Sequence, residues 1–355
     1  MYLSSIGDEK VRSVIIGWCK SNSIQFEKNV PLKFVGNRNK KLGFRTEIDL
    51  LFIDGYKLID DNYKHELEEL GYRLHDATKI YSEIERDYYV LNQFGDYEKK
   101  CFLRWLVIRK YFPGEQIIHF DGDIVFNECP YTLSKNFNGK TFILQGCPAL
   151  TVISNQDWFN QYEENLKLFA SNVTGYSDTA WGKRLGLEED KKYWVGSRDR
   201  KIISSDQDLF VHLLHTNAIC QDKPNVILQG LEDYFLFENP LFFEFYYSHF
   251  KPFQYTRVRG IDFLNDKRVA LWHMQSGFNR YLGNFILRQK YLHVLSKTNL
   301  KYEDKNVEYY LRRLVMKIMN SPQPPRLDTY KYFFEDNDFS ELFSAKTWWR
   351  HNIFQ

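Results

Sequence analysis

Three pairs of aspartates stand two residues apart in this chain: Asp121/Asp123, Asp206/Asp208 and Asp336/Asp338. Carboxylates at that spacing can hold a hard divalent cation such as Mg²⁺ or Mn²⁺, and the cation can in turn carry a diphosphate. The spacing alone selects none of the three, because a chain of this composition yields such matches by chance. Context does select. Only Asp121-Gly122-Asp123 directly follows an apolar run, Gln116 to Phe120, and Gly122 lets a ligand or backbone come close. The plain alternative is a strand-to-loop turn, where Asp and Gly are common for conformational reasons.

Three further places carry usable chemistry. His273 lies in A-L-W-H-M-Q-S-G, after a short apolar strand and before a glycine-containing loop. It is a candidate third metal ligand from far along the chain, although a lone His is more often a satisfied structural residue. In S-S-D-Q-D-L-F (204–210), Ser205 reads as a helix N-cap and the acids of the first turn suit the helix dipole. The functional alternative is that Asp206, Gln207 or Asp208 accepts a proton from a substrate hydroxyl or stabilises a developing positive charge. Arg104 interrupts the apolar stretch Cys101 to Ile108. It is either a snorkelling side chain or a guanidinium that clamps phosphate or a hydroxyl.

The elements that must position these groups read as follows. Ile48 to Asp54 is a buried strand ended by Gly55. Asp60 to Leu70 is a surface helix stopped by Gly71, and Tyr72 to His75 is a candidate strand. Asp96 to Phe112 is the strongest helix of the chain, stopped by Pro113-Gly114. Gln116 to Phe120 is again a strand. This alternation implies right-handed crossovers and a parallel sheet, with ligands beyond the carboxyl ends of the strands. Val11 to Trp18 can add a strand. Lys28 to Arg45 reads as a basic connection, Ser171 to Arg200 as a long irregular insertion, and Ser205 to Leu214 as a short helix. Asn320 to Pro325 reads as a linker, preceded by a basic helix at Tyr309 to Met319 and followed by an aromatic tail that includes Trp348 and Trp349.

Composition sets the outer bounds. The chain has 355 residues with 48 Lys+Arg against 46 Asp+Glu, a net charge of +2. Near-balance argues against a strong nucleic-acid or polybasic membrane binder. Aromatic residues make up 17%, enough for a packed core and to spare for flat polar ligands. Five dispersed cysteines suit a reducing compartment better than a disulfide framework. The N-terminus lacks the pattern of a signal peptide, and no uncharged apolar run reaches the ~18 residues of a spanning helix. The expectation is a soluble, cytoplasmic protein.

Taken in order, Phe102-Leu103-Arg104-Trp105, the strand ending at Phe120, Asp121-Gly122-Asp123, Ser205 to Asp208 and Trp272-His273 resemble glycosyltransferases of the GT-A fold, of the family 8 type and its bacterial and viral relatives. The resemblance covers roughly Ile48 to Gly283. It departs from family 8 where Met274-Gln275-Ser276 replaces a Lys-Pro-Trp continuation. It implies an α/β, Rossmann-like fold with a mostly parallel sheet flanked by helices and a helical C-terminal extension. The division expected is a transferase domain over 1–300, with 1–47 unplaced, and an extension over 301–355.

The resemblance further implies a nucleotide-sugar donor, most simply a UDP-sugar, and a saccharide or glycan acceptor, a lipid-linked one among the options. Nucleic acid is not an expected partner, and membrane contact is at most peripheral. Asp121, Asp123 and His273 would hold Mn²⁺ or Mg²⁺. Asp54, Tyr56, Arg104 and Asp121 would bind the donor, and Asp206, Gln207 and Asp208 would stand at the reacting carbon. An inverting transferase needs a general base on the acceptor hydroxyl, for which Asp208 or Asp206 serves. A retaining one needs none, and Gln207 then lines the reacting face. Two other readings remain open. One is a haloacid-dehalogenase-like phosphatase with Asp121 as nucleophile, for which F-D-G-D-I-V fits the first motif. The other is a non-catalytic carbohydrate-binding protein that uses its aromatics as stacking platforms.

Overall fold

A computed structural model describes residues 11–144, 147–184, 203–234, 254–274 and 325–335. Along the chain run β1 (Val11–Trp18), α1 (Ser23–Asn29), α2 (Leu32–Lys41), β2 (Ile48–Asp54), α3 (Asp61–Glu69), β3 (Tyr72–Asp76), α4 (Thr78–Asp87), α5 (Asp96–Tyr111) and β4 (Gln116–Phe120). These are followed by β5 (Ile124–Phe126), α6 (Pro130–Phe137), β6 (Phe142–Ile143), β7 (Leu150–Ile153), α7 (Asp157–Ser171), α8 (Val173–Arg184), α9 (Asp206–His215) and α10 (Pro224–Leu228). The last are β8 (Tyr255–Val258), β9 (Ile261–Leu264), β10 (Lys267–Arg268), β11 (Leu271–His273) and α11 (Arg326–Phe334). The chain divides into two compact units. The first draws on residues up to Ser23, Gly43–Gly122 and Cys129–Gly230, the second on Ile24–Leu42, Asp123–Glu128 and the described residues from Leu231 onward. None of the described helices is long and apolar enough to cross a membrane.

The first unit is an α/β structure around one six-stranded sheet, in the order β3-β2-β1-β4-β7-β6. Strands β1 to β4 are parallel, while β4–β7 and β7–β6 are antiparallel. The I-D-L-L-F-I-D run of β2 is buried over its first six residues, which is how a strand covered on both faces reads. Helix α5 is buried from Lys100 to Ile108. Its Trp105 meets Trp158 of α7 edge-on at 5.5 Å and Phe210 of α9 at 5.3 Å.

From β1 the chain steps outward to β2 and β3, then returns to lay β4 on the other side of β1. The point where the strand order reverses, at the carboxyl ends of β1 and β4, is where such sheets bind ligands. Asp121 immediately follows β4 there, and its amide donates to the Ala149 carbonyl at 2.9 Å. Gly55, just past β2, has φ +72°, and a Cβ on it would stand 2.0 Å from the Cys19 carbonyl oxygen. Only glycine lets the ends of β1 and β2 approach so closely.

Two expectations need correction. Lys28 to Arg45 is not an open connection, because it contains helix α2. The buried stripe Leu32, Val35, Gly36, Asn39 has helical spacing but is half polar or small, and so hides from a hydrophobic reading. The Glu27 carboxylate accepts from the amides of Lys33 and Phe34 at 3.0 Å each, satisfying the first turn from outside the helix. Ser171 to Arg200 likewise begins with a helix, α8, rather than irregular chain. The Asn172 side chain accepts from the Gly175 amide at 2.9 Å and serves as its cap. Residues 185–202, the basic segment Tyr309 to Met319, all of the linker before Pro325, and the Trp348-Trp349 tail lie outside the described residues.

The second unit contains the ribbon β5–β11 and the small antiparallel sheet β10-β9-β8. Arg259 (φ 51°) and Gly260 (φ 79°) close the β8–β9 hairpin with two left-handed residues, matching the twist of the strands. Asn127 ties these pieces together. Its Nδ2 donates to the carbonyls of Asp262 (3.0 Å) and Val269 (2.7 Å), and its Oδ1 accepts from the Asp262 amide (3.1 Å) and Arg38 Nη2 (3.0 Å). Arg38, from α2, also donates to the carbonyls of Phe126 and Gly260. Burial pushes its guanidinium down to about 10, with Asp262 opposing the shift.

Candidate functional site

In the first unit, Arg104 is no snorkelling residue. It is buried in α5 between two carboxylates. Its Nη1 donates to Asp121 Oδ1 at 2.7 Å, and its Nε and Nη2 donate to Asp206 Oδ2 at 3.0 and 2.8 Å. The Trp105 indole donates to the same Asp206 oxygen at 3.0 Å. Burial opposes the charge of Arg104, yet Asp206 and Asp121 hold its pKa well above the ordinary value. Burial pushes the Asp206 carboxyl up, against the pull of Arg104. One guanidinium between two carboxylates leaves an excess negative charge when both are ionised, and of the two aspartates Asp121 has the more exposed side chain.

The other predicted catalytic residues part company at the start of α9. The Ser205 side chain accepts from the Asp208 amide, as an N-cap does. Asp208 Oδ2 in turn accepts from the amide and hydroxyl of Ser204, at 2.9 and 2.7 Å. Gln207, between the two acids, is exposed.

The predicted donor residues at the end of β2 are also in a charged setting. The Asp54 carboxylate accepts from Lys100 Nζ at 2.7 Å, and the same buried ammonium donates to Asp96 at 2.8 Å. Tyr56 packs edge-on against Phe52 at 5.6 Å, and Lys64 Nζ stands 4.6 Å from its ring centroid. Trp18, which ends β1 at the point of strand reversal, meets the exposed ring of Tyr97 edge-on at 5.6 Å. Sequence reasoning missed Trp18, Tyr97 and Lys100. The available signal was an aromatic residue at the end of an apolar strand.

It also missed His119, one of two polar residues in β4 (Q-I-I-H-F). Its Nδ1 donates to the Pro148 carbonyl at 3.1 Å, since a carbonyl can only accept, so Nε2 carries the lone pair. Burial and the Arg104 charge push this imidazole down to about 3. Its Nε2 lies 3.8 Å from Asp121 Oδ1.

In the second unit, the pairing of β5 with β11 sets His273 opposite Ile124, the residue after Asp123. His273 Nε2 consequently lies 3.3 Å from Asp123 Oδ1. The other carboxylate oxygen faces Arg326 Nη1 at 3.1 Å. The Asp123 carbonyl accepts from the Met274 amide at 2.9 Å and from the Tyr330 hydroxyl at 3.3 Å. Burial raises the Asp123 carboxyl, but His273 and Arg326 overcome this and hold it well below the usual carboxylate range.

This donor set suits a divalent cation. Asp123 Oδ1 is buried and has no hydrogen-bond partner among the described residues. Two ligand atoms each ~2.1 Å from one ion and ~90–110° apart stand roughly 3.0–3.4 Å from each other. The 3.3 Å between Asp123 Oδ1 and His273 Nε2 falls in that range. Asp121 is one glycine away in the chain, and two peptide units alone keep its Cα within about 7 Å of that of Asp123.

No protein-family profile matches this chain, and no curated protein does. Among solved structures, mouse xyloside xylosyltransferase 1 in its apo form aligns with 59% of this chain and 83% of its own, at 12% identity and a TM-score of 0.38. The glycosyltransferase GlyE of Streptococcus pneumoniae TIGR4 aligns with 66% of this chain at 11% identity and a TM-score of 0.32. This chain spans about half of GlyE, 53% of its length. Both neighbours bear glycosyltransferase names, while overlap and identity this low leave the chemistry of the present chain to its own residues.

Proposed function

We propose that this chain is a metal-dependent glycosyltransferase that moves a sugar from a nucleoside-diphosphate sugar, a UDP-sugar in the simplest case, to a saccharide or glycan acceptor. The observation that carries the reading is the 3.3 Å approach of His273 to Asp123. Two residues distant in sequence, singled out for one cation, stand side by side in the second unit. Asp123 and His273 are the proposed protein ligands, with Asp121 the third. A bound divalent cation would supply Lewis-acid neutralisation of the charge on the departing diphosphate.

The chain's own residues do the rest. Arg104 orients the Asp121 carboxylate from one side, which leaves that group free of rotational choice when a donor hydroxyl or ribose arrives. Trp18 and Tyr97, at the point of strand reversal, offer rings for a nucleobase, with Asp54, the sheet partner of Trp18, held by Lys100. Asp206 is committed to Arg104 and Trp105, so its proposed role is to hold Arg104. Gln207 and Asp208 remain the candidates for the reacting face.

The test is slow donor hydrolysis, which needs no acceptor. A panel of UDP-sugars with Mn²⁺ or Mg²⁺ is expected to yield UDP with at least one donor. EDTA should abolish the reaction and D123A should abolish both hydrolysis and metal-dependent UDP binding. Undiminished metal-dependent turnover by D123A would overturn the assignment. Phosphatase activity on a generic ester without UDP-sugar hydrolysis would favour Asp121 as a nucleophile instead.

A further inference from the structure

Arg326 opens helix α11, in a stretch to which the sequence assigned no chemistry. Its Nη1 lies 3.1 Å from Asp123 Oδ2. One turn on, the Tyr330 hydroxyl donates to the Asp123 carbonyl at 3.3 Å, and from β11 the Met274 amide donates to the same atom. The backbone of Asp123 is thus fixed from two elements. The Arg326 side chain is 25% exposed, about twice the 12% of the Asp123 side chain it faces.

The two oxygens of Asp123 face different partners. Oδ1, the buried atom with no hydrogen-bond partner among the described residues, faces His273. Oδ2 faces the guanidinium. A divalent cation taken up by Asp123 and His273 would share one carboxylate with a fixed positive charge. Like charges so close repel in a poorly solvated site, and an added anion is what relieves the repulsion.

We infer that Arg326 is a displaceable counter-ion. It neutralises Asp123 while the cation is absent, and it turns to the oxygens of an anionic ligand when the cation binds. The consequence is coupling. Cation and oxyanion each bind weakly alone and tightly together, and by linkage each strengthens the other by the same factor. The ligand class selected is a nucleoside diphosphate or its sugar ester, in which phosphate oxygens can reach metal and guanidinium at once. This inference rests on the proposed cation site and adds to it a residue and a coupled mode of binding.

Mn²⁺ binding to the full-length protein, followed by electron paramagnetic resonance with and without uridine diphosphate, tests it. Without nucleotide, R326Q should bind Mn²⁺ at least ~10-fold more tightly than the unaltered chain. Nucleotide should tighten Mn²⁺ binding at least ~10-fold in the unaltered chain and much less in R326Q. R326K keeps the charge and should behave like the unaltered chain without nucleotide. Equal Mn²⁺ affinity of R326Q and the unaltered chain without nucleotide overturns the inference and leaves the cation site standing. Absence of Mn²⁺ binding to every form, with or without nucleotide, overturns both. Should R326Q not fold, the unaltered chain decides alone, because Mn²⁺ affinity indifferent to nucleotide also overturns the inference.

Discussion

His273 Nε2 lies 3.3 Å from Asp123 Oδ1 because β5 and β11 pair directly beside both residues. The ribbon brings an imidazole nitrogen and a carboxylate oxygen to one spot, and Mn²⁺ serves as the probe of the proposed cation site. His273→Ala should weaken Mn²⁺ binding at least ~100-fold, since loss of a group that merely orients a ligand already costs up to that much. His273→Gln should recover part of it with an oxygen donor. Isothermal titration with Mn²⁺, alongside a thermal melt to verify folding, measures this. An unchanged Mn²⁺ affinity in a folded His273→Ala protein would remove His273 from the site.

How far this site could be read in advance differs residue by residue. Asp123 and His273 were recognisable as ligand types after apolar runs, but their pairing was not. β5 and β11 are three residues each, too short for any periodicity to announce which strand meets which. The strand Ile48–Asp54 was legible in full because burial on both faces leaves an unbroken apolar run. Helix α2 was not, because its inward stripe includes Gly36 and Asn39. Arg104 looked like an interruption of a hydrophobic face, whereas its partner Asp206 lies on another helix and only tertiary structure joins them. Arg326 gave no local signal at all.

Arg104 and Asp206 form a buried pair whose members cannot be removed singly without cost. Asp206→Ala leaves Nε and Nη2 of Arg104 and the Trp105 indole without their shared acceptor. Removing one partner of such a pair costs about 3–5 kcal/mol. Arg104→Met with Asp206→Leu removes both charges and should recover much of that loss. Urea unfolding of the two single variants and the double variant measures the coupling. A cost below ~1 kcal/mol for Asp206→Ala would mean that the pair is not a structural support.

Asp49 gives the first unit an acid-sensitive point away from the candidate site. Its buried carboxylate accepts from Arg73 Nε at 2.9 Å and Nη2 at 2.6 Å, with His75 Nε2 at 2.7 Å and Arg12 at 3.5 Å. Burial alone would raise its pKa, but Arg73, His75 and Arg12 together hold it well below the usual carboxylate range. A depressed folded-state pKa contributes stability above the unfolded value of about 4, and that stability is lost as pH falls below it toward the folded value. The melting temperature should therefore drop between about pH 5 and pH 2, by an amount reflecting on the order of 2 kcal/mol from this group. Asp49→Asn should be less stable at pH 7 and should flatten that part of the profile. Parallel melting curves for both proteins at pH 7 and pH 3 that differ by the same amount would show that Asp49 titrates no differently in the folded chain.

On the proposed function, Trp18 is where base recognition can be separated from cation recognition. It ends β1, at the reversal of strand order, with the exposed Tyr97 ring edge-on at 5.6 Å. Its proposed work is stacking, which depends on the base and not on the diphosphate or the metal. Stacking of a base on an aromatic side chain contributes ~1–3 kcal/mol, so Trp18→Ala should weaken uridine monophosphate binding roughly 5- to 150-fold. That loss should be the same in Mn²⁺ and in EDTA. His273→Ala should show the opposite pattern, weakening uridine diphosphate in Mn²⁺ and leaving uridine monophosphate in EDTA unchanged. Competition titrations of both variants under both conditions give the four numbers needed. If Trp18→Ala loses affinity only when the metal is present, the ring is not a base platform, and the nucleobase must be read elsewhere along the carboxyl edge of the sheet.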